Sequence, residues 1–160
     1  MGNGLENLMY QVGQFFLLPS LFLIAVCFLY AFWLLGEFAM QSFGRRRGRA
    51  RSLIEFYRRN QFASDDEIDV YAHKLLEIPR IVSRVTPMLG LVATMIPMGP
   101  ALRSLSDGNL AKVSDNLTIA FSAVILALIA ASITYYVSNV KKRWLAEEML
   151  EIQKLKKGEK

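Results

Sequence analysis

The sequence predicts an all-α membrane protein: three transmembrane helices with cytoplasmic helical extensions, N-terminus outside and C-terminus inside. Three observations carry that prediction. Hydrophobic residues make up 53% of the 160 residues and mean hydropathy is +0.28, although 21% of residues are charged, a combination foreign to an ordinary soluble domain. The apolar residues gather in three stretches without Asp, Glu, Lys or Arg: Asn7 to Gly36, Val85 to Leu102, and Asn116 to Val140. Each meets the roughly 18–20 residues that a helix rising about 1.5 Å per residue needs to cross a hydrocarbon core about 30 Å thick. Basic residues, finally, collect on one side of these stretches.

The first transmembrane helix is expected within residues 1–40. A cleaved signal peptide opens on a basic region, and the chain has no Lys or Arg before Arg45, so this helix is expected to be retained. Its core, from Phe15 to Leu35, is dense in Leu and Phe, each favouring insertion by about 0.3–0.6 kcal/mol. Cys27 lies inside it with no second cysteine to pair with, and reads as a small buried hydrophobe.

Residues 41–79 form a basic loop with cations from Arg45 to Lys74, Arg80 follows at the start of the second helix, and basic residues return from Lys141 to Lys160, whereas the opposite side has little beyond Lys112. Lys and Arg near membrane ends are retained in the cytoplasm, which fixes the orientation given above. The run Arg45-Arg46-Arg47-Gly48-Arg49-Ala50-Arg51 reads as a topology signal facing anionic lipid, not as a nucleic-acid site. Within the loop, Ser64-Asp65-Asp66-Glu67 supplies an N-cap, a capping-box Glu and acid at the positive end of a helix dipole, so a short helix is expected over about residues 65–77. Its stripe of Ile68, Ala72, Leu75 and Leu76 needs a cover. The tail over residues 141–160 has Leu145, Met149, Ile152 and Leu155 on one face and Glu147, Glu148 and Glu151 expected in water, so the two segments are expected to pack together or on neighbouring copies. Glu37, at the end of the first helix, is expected to be solvated at the interface or to pair with Arg45 to Arg49, and the lone His73 is a poor metal ligand.

The second helix (residues 80–103), a short external loop (104–115) and the third helix (116–140) carry the informative residues. In the third, Ala123, Ala127 and Ala131 repeat every fourth residue, a seam that lets backbones approach closely in lipid. Thr118, Ser122, Ser132 and Thr134 add hydroxyls where hydrocarbon offers no partner, and interhelical hydrogen bonds would satisfy them. In the second helix Pro87, Pro97 and Pro100 each lack an N–H, freeing the carbonyls of Ser83, Ala93 and Ile96. Freed carbonyls at membrane depth must be met by protein, water or an ion. The Ala93 carbonyl beside the Thr94 hydroxyl reads either as an oxygen site for a passing cation or as the by-product of a simple kink.

The run Pro87-Met88-Leu89-Gly90-Leu91-Val92-Ala93-Thr94 resembles the P-x-L-G-L-x-G-T signature of the second pore helix in the MotA/TolQ/ExbB proton channel family, with Ala93 in place of the second glycine. Ala120-Phe121, Ala127-Leu128 and Asn139 are similar to the family's third-helix pattern, and the likeness spans about Arg80 to Lys142. The resemblance implies a homo-oligomer, a pentamer whose second and third helices line a pore. It implies two copies of a partner of MotB/TolR/ExbD type, whose single membrane helix bears an aspartate that ions load and unload. It further implies a prokaryotic cytoplasmic membrane and a transported H+ or Na+ in place of any cofactor. Thr94 matches the family's pore threonine, while Val124 stands where another threonine is usual and Ile119 where some members have glutamate; Ser122 or Thr118 would substitute. The ion pathway is thus expected at Thr94, Ala93, Ser122 and Thr118, on a framework set by Pro87, Gly90 and Pro97.

The competing reading is a membrane scaffold or accessory subunit that uses the small-residue seams only for assembly, without ion conduction. No G-x-S-x-G, H-E-x-x-H, paired intramembrane carboxylates or phosphate-cradling glycine loop is present, so no catalytic residue is assigned and an enzyme is not expected.

Overall fold

The computed structural model describes residues 2–46, 52–60 and 64–158, and among them it is entirely helical, without a strand. Four helices follow in order: α1 (Gly2–Arg46), α2 (Ser52–Arg59), α3 (Asp65–Ser106) and α4 (Leu110–Gly158). Of these α1, α3 and α4 are long and apolar enough to cross a membrane. Their outer faces expose Phe15, Leu18, Phe22, Leu29 and Trp33 on α1 and Met88, Leu91 and Met95 on α3, surfaces only lipid or another apolar partner can cover.

The architecture is an antiparallel hairpin of α3 and α4 with α1 laid against it. The hairpin turn is short. Asp107 caps α3, and Gly108 takes φ +72°, the left-handed conformation that glycine adopts without steric cost. Gly108 N–H then donates to Leu105 (3.1 Å) and Asn109 N–H to Ser104 (2.9 Å), the paired bonds of a Schellman ending. Asn109 Oδ1 accepts from Lys112 N–H at 3.2 Å and so starts α4. The loop expected over residues 104–115 therefore narrows to 107–109, because both helices extend into it.

Two clusters hold the elements together. At membrane depth Ile24 of α1 packs on Ala93, Ala123 and Ala127, flanked by Leu21 and Leu89. Towards the charged end, Leu53, Ile68, Ala72, Leu76, Leu145 and Ile152 bury one another, with Phe56 stacked on Tyr71 at 4.2 Å. The stripes foreseen on the two amphipathic segments thus meet each other, though Leu75 and Leu155 remain exposed.

Several boundaries differ from expectation. The short helix foreseen over 65–77 is not separate but the first turns of α3, which runs 42 residues through Pro79, Pro87, Pro97 and Pro100. A proline removes one hydrogen bond and crowds one carbonyl; here α3 is packed before Pro79 through Ile68, Ala72 and Leu76 and after it through Thr86, Gly90 and Ala93, which keeps the axis intact. Likewise the tail expected over 141–160 is, through Gly158, a continuation of α4, which contains no proline. The start of α3 matches expectation: Ser64 accepts from Glu67 N–H (3.2 Å), and Glu67 accepts from Ser64 N–H (3.0 Å).

Glu37 does pair, but with a different cation. Its carboxylate accepts from Lys141 Nζ at 2.9 Å and from Gln41 at 2.7 Å, joining α1 to α4. Arg45 turns instead to Glu148, 3.1 Å away, and lies over the Trp144 ring at 4.9 Å. Of the basic run, residues 47–51 lie outside the described residues.

Candidate ion-pathway site on the α3–α4 hairpin

The site is built from two helical stripes facing each other. On α3, Thr86, Gly90, Ala93, Pro97 and Ala101 are buried, a spacing of three or four that keeps them on one face. On α4 the matching stripe is Ala120, Ala123, Ala127, Ala130, Ala131 and Thr134. Small side chains on both let the backbones close in: a Cβ at Gly90 would lie 2.8 Å from Ala127 Cβ. Glycine at 90 is thereby a packing requirement, and the expected seam of Ala123, Ala127 and Ala131 forms within one chain.

Ala93, 0% exposed, sits in this seam against Ile24, Ala123 and Ala127. Thr94 follows it around the helix and flanks the seam, half-buried. Its hydroxyl donates to the Leu91 carbonyl at 2.7 Å, which commits its proton and leaves the oxygen lone pairs free to accept. Pro97 is buried in the seam and Pro87 half-buried one turn before Gly90. Since Pro97 has no N–H, the Ala93 carbonyl lacks its helical donor, so a carbonyl and a hydroxyl oxygen are consecutive on α3 at the edge of the hairpin.

Thr118 and Ser122 stand elsewhere. Both are exposed on the face of α4 turned away from the α3 seam, one turn apart, donating to Ser114 (2.8 Å) and Thr118 (2.8 Å) carbonyls. The structure therefore does not join them to Thr94 within a single chain. Nor do the hydroxyls bond between helices as expected: Ser132 donates to Leu128 (2.7 Å) and buried Thr134 to Ala130 (2.8 Å), each within α4. A hydroxyl that bonds back to the carbonyl four residues earlier is satisfied at any depth without a neighbour. Val124, in the place of the usual threonine, sends a methyl to 3.5 Å from the position of a Gly90 Cβ and so tightens the seam.

Of the buried polar residues that were not foreseen, Thr86 and Glu148 flank the hairpin. Thr86, 0% exposed, donates to Val82 (2.7 Å) at the charged end of the seam; its place four residues before Gly90 was the available signal. Glu148, 2% exposed, was expected in water. It accepts from Leu53 N–H at the start of α2 (2.9 Å) and pairs with Arg45 (3.1 Å), binding α1, α2 and α4 at one carboxylate. Its position three after Leu145 and four before Ile152 places it on the buried stripe, a spacing that was legible.

An all-helical, multi-pass membrane protein with a small-residue hairpin is the class these features define. The family model for the MotA/TolQ/ExbB proton channel family matches residues 55–154, nearly two thirds of the chain. The chain belongs to that family. The match reaches beyond the likeness at Arg80 to Lys142, taking in the charged extensions of both α3 and α4. Comparisons with curated proteins and with solved structures gave no match.

Proposed function

We propose that this chain is the ring-forming pore subunit of an ion-driven membrane motor, a pentamer enclosing two copies of a single-helix partner that bears an intramembrane aspartate. The observation that carries the reading is the lack of any Asp or Glu from Val85 to Leu102 and from Asn116 to Val140, the two spans of a family whose members are proton channels. A carboxyl that loads and unloads an ion must then come from another chain. What this chain offers is Thr94 beside the Ala93 carbonyl, at the edge of a hairpin whose outer faces are uncovered. Thr118 and Ser122, on the other side of α4, meet Thr94 only across subunits of a ring.

The charged extensions of α3 and α4 lie in the cytoplasm and the Asp107–Asn109 turn outside, because the basic residues concentrate at the former end. The membrane is the cytoplasmic membrane of a prokaryote, and H+ or Na+ is the coupling ion. The test is coexpression with the product of the neighbouring gene, followed by ion-flux measurement in vesicles. Thr94→Val is expected to abolish flux while leaving a five-to-two complex intact. Loss of the oligomer with Thr94→Val, or absence of a partner with an intramembrane aspartate, would refute the reading in favour of a scaffold.

A further inference from the structure

A cavity of about 440 Å³ opens where the apolar spans give way to the charged extensions, between α1, α3 and α4 with α2 beneath. That volume lies within the roughly 300–1,000 Å³ of ligand pockets. Its membrane side is apolar and open: Tyr30, Trp33 and Leu34 of α1 face Ile78 and Pro79 of α3, and Trp33 (65%) and Ile78 (60%) are largely exposed. Its other side is polar, with three carboxylates (Glu37, Glu55, Glu148) balanced by Arg45, Lys74 and Lys141.

Most of that charge is already spoken for. Arg45 is held by Glu148 (3.1 Å), Lys141 by Glu37 (2.9 Å), and Glu55 by Arg59 (3.1 Å). Lys74 pairs with no carboxylate among the described residues, leaving one cation on the rim. Pro79 supplies a second unmatched group: having no N–H, it leaves the carbonyl of Leu75, another lining residue, without its helical donor. A carbonyl at a membrane boundary calls for a hydrogen-bond donor, and Glu37 and Glu55, which line the same cavity, have acceptor capacity.

We propose that this cavity binds a zwitterionic phospholipid whose headgroup ends in a primary ammonium. The phosphate pairs with Lys74; the ammonium, carrying three N–H donors, serves the Leu75 carbonyl and a neighbouring carboxylate; an acyl chain leaves between Trp33 and Ile78 into the bilayer. The balanced lining selects against a net anion, because an added negative charge would find a single unmatched cation and three carboxylates. The need for N–H donors selects against a quaternary ammonium. This proposal does not rest on ion conduction.

Native mass spectrometry of the full-length protein tests it, after exchange into detergent containing equimolar phosphatidylethanolamine, phosphatidylcholine and phosphatidylglycerol. Phosphatidylethanolamine is expected to be retained about tenfold over each of the others, the scale of one hydrogen bond to a charged group. Lys74→Ala removes the phosphate partner and Pro79→Ala restores the missing N–H without endangering the helix; each is expected to cut retention roughly tenfold. Soluble glycerophosphoethanolamine at matched concentration is expected not to displace the lipid. Equal retention of the three lipids, wild-type retention by both variants, or displacement by the soluble headgroup would overturn the proposal.

Discussion

Gly90→Ala is the sharpest probe of the hairpin. The added methyl carbon would lie 2.8 Å from Ala127 Cβ and 3.5 Å from Val124 Cγ2. Nonbonded carbons attract best at about 3.5–4.0 Å, so the first contact is too short by about 0.7–1.2 Å. Ala127 has no rotatable group to withdraw, and α3 and α4 must part by about 1 Å, loosening Ala93 and Ala123 together. Overpacking of this kind costs about 1–3 kcal/mol, and a loss of about 2 kcal/mol is expected for Gly90→Ala. Ala127→Gly in the same chain removes the opposing methyl and should recover most of it, giving a coupling energy of about 1–2 kcal/mol in the double-mutant cycle. The assay is reversible unfolding in mixed micelles, followed by fluorescence of Trp33 and Trp144, with Ala127→Gly alone as the fourth corner. A Gly90→Ala variant as stable as the parent, or a double variant no better than the single, would refute the close approach.

Other expectations follow from the same contacts. Glu148→Ala leaves Arg45 partly buried and Leu53 N–H without its acceptor; unfolding should become easier by about 3 kcal/mol, the low end for a broken buried pair because Glu147 at 3.5 Å still faces Arg45. Glu148→Gln keeps an acceptor for Leu53 and should cost measurably less; equal losses would argue against the bond to α2. Ser64→Ala removes the cap of α3 and should lower stability by about 1 kcal/mol with reduced amide protection confined to the first turns, read by hydrogen exchange. Pro97→Ala gives the Ala93 carbonyl a helical donor; ion flux should fall while stability holds or rises, and unchanged flux would remove that carbonyl from the pathway.

What could be read from the sequence was whatever depends on local pattern. The charge-free stretches located three long helices, Ser64 to Glu67 located the start of α3, and the alanine spacing located the seam. The rest depended on which surfaces meet. Glu148 is charged, and a charge on an amphipathic tail defaults to water; only Arg45 and the start of α2, both distant in sequence, make its burial tolerable. Helix α2 itself was not foreseen. Eight residues are too few to hold a helix alone, and it persists because Leu53, 0% exposed, is locked among Ile68, Leu145 and their neighbours. The grouping of Thr94 with Thr118 and Ser122 rested on likeness in type and depth, whereas the angular step around α4 turns the latter two away from α3.

The continuity of α4 has a mechanical meaning. From the middle of its apolar part near Leu128 to Gly158 it extends about 45 Å at 1.5 Å per residue, without a proline to act as a joint. A tilt of about 5° at membrane depth thus sweeps its far end through about 4 Å, close to the diameter of a methyl group. Because α3 is clamped alongside through Ile68, Leu76, Leu145 and Ile152, the two travel as one lever, and a small displacement inside the bilayer arrives amplified at its charged tip.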